Sequence, residues 1–151
     1  MSDIRYAYHL SVPDALNVPL RGTLHARFVW SDPRGGDVVF DFKDPDGRVS
    51  AVRVNDVPVQ WVASHDHVVL PAQALIQAEH NSVEIEFSAG DEALNRNEDF
   101  LYTLFVPDRA HFSLPLFDQP NLKARFTLTL EIPQRWVAVA NGETVGESRS
   151  A

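Results

Sequence analysis

Between Leu114 and Leu130 the chain reads L-P-L-F-D-Q-P-N-L-K-A-R-F-T-L-T-L, an acidic corner that runs straight into the most regular alternation in the sequence. Leu122, Ala124, Phe126, Leu128, Leu130 and Ile132 fall on one face of an extended chain, and Lys123, Arg125, Thr127, Thr129 and Glu131 on the other. Successive side chains of a strand point to opposite faces, so this pattern predicts a half-buried strand. Pro115 and Pro120 bracket Phe117-Asp118-Gln119. Each proline disfavours helix at the residue before it and withholds a ladder donor, which makes the first half a sharp extended corner.

The same alternation recurs upstream. Ile4, Tyr6 and Tyr8 precede the loop Pro13 to Pro19, and Leu24, Ala26, Phe28 and Trp30 share a face until Ser-Asp-Pro-Arg-Gly-Gly breaks the ladder. Val38 to Phe42 and Val49 to Val54 flank the turn Asp44-Pro-Asp-Gly47, and Val59 to Val62 leads through Ser64-His-Asp-His to Val68-Val-Leu70. Val83, Ile85 and Phe87 form a further strand, and Phe100 to Val106 is an apolar run of strand type. Helix is predicted only as a short turn within Pro71 to His80, while Ala89 to Asp99 reads as a polar surface loop. Short strands at fairly regular spacing predict an all-β, mostly antiparallel meander, with no domain boundary inside 1–151.

A chain of 151 residues is long enough to bury roughly two-thirds of its unfolded surface around one core. The formal net charge of −8, with Lys and Arg scattered, argues against a nucleic-acid partner. No apolar run approaches the roughly 20 residues of a membrane span, so no membrane partner is expected. The start Met1-Ser2-Asp3 lacks the charge and apolar pattern of a secretory signal. The absence of cysteine removes disulfides, thiolate nucleophiles and Cys-based zinc sites. Together these give the expectation of a cytoplasmic protein.

Catalytic and metal-binding patterns are thin. His65-x-His67 could share one face of a strand, but no third ligand is visible; His9, His25, His80 and His111 are isolated. Asp91, Glu92, Asn95, Asn97, Glu98 and Asp99 supply oxygens of the kind calcium prefers at a spacing that does not match an EF-hand. Asp41 with Asp44, or Asp108 with Asp118, are carboxylate pairs that a chain this acidic offers without meaning. Ser11 and Ser113 lack a nucleophile elbow, and Gly35-Gly36 reads as a hairpin turn with no helix behind it. No catalytic and no metal residue is therefore expected in this chain.

The corner F-D-Q-P-N-L-K-A-R-F-T-L, preceded by Leu114-Pro115 and followed by Trp136-Val-Ala-Val-Ala-Asn141-Gly142, resembles the N-terminal β domain of the aminopeptidase N family of zinc metallopeptidases, the gluzincins. Tyr8-His-Leu with Leu20-Arg-Gly22-Thr-Leu, Val52-Arg-Val-Asn55-Asp56 and Val68-Val-Leu-Pro71 extend the likeness over nearly the whole chain. The resemblance implies a saddle-shaped, curved sheet with a smaller sheet packed on it, sandwich-like, and a single non-catalytic domain. It further implies that the chain is a piece of a longer aminopeptidase, because the strand pattern stops after Asn141-Gly142 while the family domain continues. Zinc would sit in the parent's catalytic domain, on an H-E-x-x-H helix that this sequence lacks. The partners implied are that catalytic domain and a peptide substrate, and the chain alone is expected neither to bind zinc nor to hydrolyse aminoacyl anilides.

In the family, the segment preceding the corner carries a Gln and a Glu, or two Gln, that bind the substrate's free amine. Counting back from Asp118, those positions fall on Leu104 and Val106, whose side chains accept no hydrogen bond. Leu104, Phe105 and Val106 are thus candidates to line an apolar side-chain pocket, unless the run Phe100 to Val106 is simply a core strand. Phe112, Leu116, Phe117, Asp118 and Gln119 are the expected contacts to the catalytic domain, with an exposed apolar patch around Phe105, Phe112, Leu116 and Phe117. The competing reading is a stand-alone β-sandwich that binds carbohydrate or protein through Trp30, Trp61 and Trp136, although alternation puts Trp30 on an apolar face.

Overall fold

The computed structural model describes residues 1–148, and regular structure in it is strand apart from two short 3₁₀ turns. The strands are β1 (Ser2–Ser11), β2 (Arg21–Val29), β3 (Val38–Asp41), β4 (Val49–Val54), β5 (Val57–Pro58), β6 (Val62–Ala63), β7 (His67–Leu70), β8 (His80–Ser88), β9 (Leu94–Arg96), β10 (Leu101–Thr103) and β11 (Ala124–Glu131). A six-stranded sheet in the order β11-β1-β2-β8-β4-β5 forms one layer and a three-stranded sheet β3-β7-β6 another, with β9 and β10 as a separate hairpin. Pairing is antiparallel except between β1 and β11, which run parallel with Ile4 opposite Ala124 and Ser11 opposite Glu131. The expected all-β class holds. The simple meander does not, since β8 pairs with both β2 and β4 across long stretches of chain.

Alternation explains the core. Ile4, Tyr6 and Tyr8 of β1, Leu24, Ala26 and Phe28 of β2, and Val83, Ile85 and Phe87 of β8 all turn to one side of the large sheet and are buried. Phe40, Val68 and Leu70 of the small sheet meet them from the other side. Phe28 and Phe40 lie edge to face with centroids 6.2 Å apart, and Phe42 meets Phe87 at 5.5 Å. Each such side chain contributes about 1.5–3 kcal/mol by leaving water.

Local departures have local causes. Between Pro71 and His80 only Ala72–Ala74 makes a helical turn. The buried Asn81 side chain accepts from Ile76 N–H at 2.8 Å and donates to the carbonyls of Ile76 at 2.8 Å and Glu79 at 3.1 Å, so the following backbone groups bond to a side chain and not to a helix ladder. Gly47 adopts φ +76° in the turn before β4, a conformation open to glycine. The polar stretch from Ala89 to Asp99 contains β9, which pairs with β10 and so is more than a loop. β11 sits at the end of the sheet, and its predicted apolar face is half-buried at Leu122, Leu128, Leu130 and Ile132, while Phe126 is 56% exposed.

Candidate functional site

The corner predicted from Pro115 and Pro120 is fastened to the sandwich by four side chains. Tyr8 Oη donates to the Pro115 carbonyl at 2.7 Å, and Tyr6 Oη accepts from Phe117 N–H at 2.9 Å. Burial pushes both hydroxyls above the ordinary tyrosine range, so they remain protonated, hydrogen-bonding groups. Asp41 at the end of β3 exchanges backbone hydrogen bonds with Leu116 at 2.7 and 3.1 Å. Its Oδ2 accepts from Asp118 N–H at 2.8 Å and Gln119 Nε2 at 2.7 Å, while Oδ1 lies 3.3 Å from His67 Nε2. Asp118 Oδ2 in turn accepts from His111, 2.8 Å from its Nδ1 and 3.3 Å from its backbone nitrogen. A carboxylate that receives several charge-assisted hydrogen bonds holds its donors in fixed directions.

Phe117 stacks on Phe40 with centroids 4.3 Å apart and meets Phe28 edge-on at 5.4 Å. It is 4% exposed, which corrects its expected place in an exposed patch. The reason is steric: the residues on either side are tied to Asp41, and the ring between them can only point into the core. Leu116, Phe112 and Phe105 are half-buried, and Asp118 is largely covered while Gln119 is exposed.

Upstream of the corner the chain is held by its backbone and leaves its apolar side chains out. Leu104 N–H donates to the Ala93 carbonyl at 3.0 Å, Arg109 N–H to Phe105 at 3.1 Å, and the Arg109 guanidinium to the Glu92 carbonyl. The hairpin carrying this run is anchored by Arg96, whose guanidinium donates to Val18 at 2.9 Å and Ala15 at 3.0 Å in the Pro13 to Pro19 loop. Phe105 turns inward against the core. Leu104 and Val106 turn outward, 47% and 75% exposed. Phe100 and Tyr102 are exposed as well, their rings stacked at 5.9 Å, so Phe100, Tyr102, Leu104 and Val106 are a stripe of exposed apolar residues two apart in the sequence, running from β10 into the turn after it. The alternative of a buried core strand over Phe100 to Val106 is thereby excluded.

The remaining candidates separate. His65 stands in a left-handed turn at φ +53° outside β7, so it does not share a strand face with His67. Asp108, His111 and Asp118 come together, one ligand atom from each lying within 4.8 Å of the others. The hydrogen bond between His111 and Asp118 accounts for the closeness of those two. These residues do not fit the zinc that an H-E-x-x-H helix holds, for they lie on a 3₁₀ turn and a corner. Trp30 is buried, and Trp61 and Trp136 are partly so, which removes the flat tryptophan platform a sugar-binding module would present. Sequence reasoning missed Asp41 as the hub and the two tyrosine hydroxyls as the fasteners. The alternation that placed Tyr6 and Tyr8 in the core carries no information on where their hydroxyls point.

The family model described as the Peptidase M1 N-terminal domain matches residues 37–150. No curated protein matches the chain. Among solved structures, it is similar to the M1 zinc metallopeptidase from Deinococcus radiodurans, with 22% identity and TM-score 0.68 over 85% of this chain and 32% of that one. It is similar also to a variant of a two-domain M1 zinc metallopeptidase bound to L-tryptophan, with 26% identity and TM-score 0.67 over 85% and 32%. Aminopeptidase A of Legionella pneumophila in complex with aspartic acid shares 15% identity at TM-score 0.70 over 85% of this chain and 16% of its own. The chain thus spans about a third or less of these proteins.

Proposed function

Because this chain belongs to the Peptidase M1 N-terminal domain family, we propose that it is the non-catalytic domain of a zinc-dependent aminopeptidase, one that removes N-terminal residues from peptides. In this reading it packs on the catalytic domain of the same polypeptide and walls one side of the cleft. The catalytic domain's zinc supplies Lewis-acid activation of water. Leu104 and Val106 line the pocket for the substrate's first side chain, with Phe105 fastening them from beneath. Phe112, Leu116, Asp118 and Gln119 form the contact to the catalytic domain, and Phe117 supports that surface from the core.

The observation that carries this reading is the stripe of Phe100, Tyr102, Leu104 and Val106. Its backbone is fixed by hydrogen bonds and its side chains are left in water. An apolar surface held rigid costs free energy unless something covers it. A peptide side chain and a neighbouring domain both would. Recognition of the peptide's amine falls to acidic groups outside this chain, since neither Leu104 nor Val106 has an acceptor.

The test begins with the coding sequence beyond Ala151, where H-E-x-x-H followed by a further Glu supports the reading and a stop codon sinks it. In the parent so defined, Leu104→Gln and Val106→Glu are expected to lower kcat/KM for large apolar first residues by roughly tenfold to a hundredfold. Small first residues should be affected much less. A uniform loss across substrates would remove both positions from the pocket.

A further inference from the structure

The hairpin of β9 and β10 carries the first half of the exposed stripe, and among the described residues its strands pair only with each other. Each strand has three residues, and a two-stranded hairpin is marginal in water unless something else holds it. Its base is fixed: Leu104 N–H donates to the Ala93 carbonyl and Ser113 Oγ to the Gly90 carbonyl, both at 3.0 Å, and Leu94 and Leu101 pack on the core. The far end closes on itself, with Asn97 Oδ1 accepting from Asp99 N–H at 2.8 Å and Phe100 N–H at 2.9 Å. Those bonds shape the turn without tying it to the sandwich. Arg135, 54% exposed, reaches the Glu98 carbonyl at 3.3 Å, a contact open to water.

Arg96 supplies the covered tie. It ends β9 opposite Leu101, and its side chain is only 7% exposed. The guanidinium donates to the carbonyls of Val18 at 2.9 Å, Ala15 at 3.0 Å and Pro13 at 3.5 Å. Its nearest carboxylate, Asp91 at 3.8 Å, is 59% exposed, and an ion pair so open to water contributes little. The loop carbonyls therefore do the holding. A planar guanidinium fixes the direction of every bond it donates, so converging carbonyls on one side and the hairpin on the other settle a single angle between them.

That angle sets the line of the stripe. Turning the hairpin about its base swings Phe100 and Tyr102, at the end Arg96 holds, through a wider arc than Leu104, which is bonded at the base. We infer that Arg96 is a positioning residue for the first-residue pocket, which rests on the reading of Leu104 and Val106 proposed above. By fixing the hairpin on the Pro13 to Pro19 loop, it keeps Phe100 and Tyr102 in line with Leu104 and Val106, and so makes the apolar wall long enough for a large aromatic first residue. A small first residue reaches only the base of that wall and does not feel the angle.

Arg96→Met keeps an apolar stem and removes every donor. The carbonyls it frees belong to an exposed loop where water takes the guanidinium's place, so the domain should stay folded. In the parent enzyme the variant should raise KM for peptides with a large aromatic first residue roughly threefold to thirtyfold, and for an alanyl first residue by less than about twofold. Mere loss of folded enzyme would lower kcat for both alike. Arg96→Lys, whose ammonium still donates to loop carbonyls, should lie closer to the parent than Arg96→Met does. Hydrogen exchange gives a readout that needs no substrate: the amides of Asn97 and Leu104 should exchange roughly tenfold faster in Arg96→Met, and those of β2 and β8 at their former rate. The inference is overturned by KM values that stay put, or shift equally for large and small first residues, while Leu104→Gln still selects against large ones; the pocket then stands without Arg96. If Leu104→Gln and Val106→Glu do not discriminate, the pocket itself falls and Arg96 has nothing to position. Unchanged exchange at Asn97 and Leu104, protection lost equally in β2 and β8, or an Arg96→Lys no better than Arg96→Met also overturns it.

Discussion

The middle of the large sheet and its β11 edge are built from the same alternation and end up in different states. At β2 and β8 the inward side chains are buried, Phe28 meets Phe40 of the small sheet, and the buried Asn81 is hydrogen-bonded. At β11 the inward face is only partly covered: Leu128 packs against the core while Phe126, beside Tyr8 at 5.5 Å, stays open, and the buried indole Nε1 of Trp136 has no hydrogen-bond partner among the described residues. Val137 and Val139 beyond it are almost fully exposed. A period-two pattern therefore specifies which face is apolar and leaves open whether that face is covered; coverage depends on a second layer, and the layer β3-β7-β6 is only three strands wide.

The sharpest way to break this comparison is to truncate one aromatic or aliphatic side chain on each side. Phe117→Ala removes a ring stacked between Phe40 and Phe28 and should cost about 3–5 kcal/mol. Val106→Ala, on the open stripe, should stay within about 0.5 kcal/mol. Urea unfolding followed by tryptophan fluorescence measures both. Comparable losses would mean that the stripe is packed in solution and the open side is not open.

Much of the closed side was legible beforehand, and the reasons are specific. Leu24, Ala26, Phe28 and Trp30 announced a buried face, and all four are buried. Pro115 and Pro120 announced a corner because proline restricts the backbone whatever surrounds it. Phe117 was placed outside because a residue in a corner has no periodicity to assign its side. What decides it is Asp41, 76 positions away from Phe117 by their numbering and joined to its neighbours Leu116 and Asp118. The stripe at Phe100 to Val106 was ambiguous for a related reason. Its residues are apolar on both faces, so alternation could not show that Leu104 and Val106 point out while Phe105 points in.

A smaller effect probes the seam between the regions. Gly90 lies where the corner's 3₁₀ turn meets the loop before β9, and Ser113 Oγ donates to its carbonyl at 3.0 Å. A Cβ added there would stand 2.6 Å from the Phe112 carbonyl oxygen, which is backbone, and 2.2 Å from Arg48 Nη1. Gly90→Ala should therefore cost about 1–3 kcal/mol, because the arginine can move and the carbonyl cannot. If the seam is instead pliable, thermal unfolding will show no change, and the hairpin β9 and β10 would be independent of the corner.

The smallest effect separates the regions by what holds their charges. Asp32 and Asp14 both have carboxyls below the ordinary aspartate range. For Asp32 the main cause is the backbone N–H of Arg34, followed by that of Gly36, each 3.0 Å from a carboxylate oxygen. For Asp14 it is the side-chain hydrogen bond from Arg135, at 2.6 Å, beyond the open strand. A carboxyl lowered by folding adds stability that is present above its unfolded value and lost as pH falls through the folded one. Both sites therefore weaken in the acid range below ordinary aspartate titration, and neither responds between neutrality and pH 5. Salt should part them. At 1 M ionic strength the screening length falls to about 3 Å, so the exposed Arg135 pair should loosen and the Asp14 carboxyl return toward its ordinary value. The Asp32 carboxyl, held by amides fixed in the turn before β3, should stay low. Carboxyl carbon shifts followed by NMR through an acid titration at two salt concentrations read both at once. An Asp32 value that rises with salt as far as that of Asp14 would show that the loop is no more rigid than the tail.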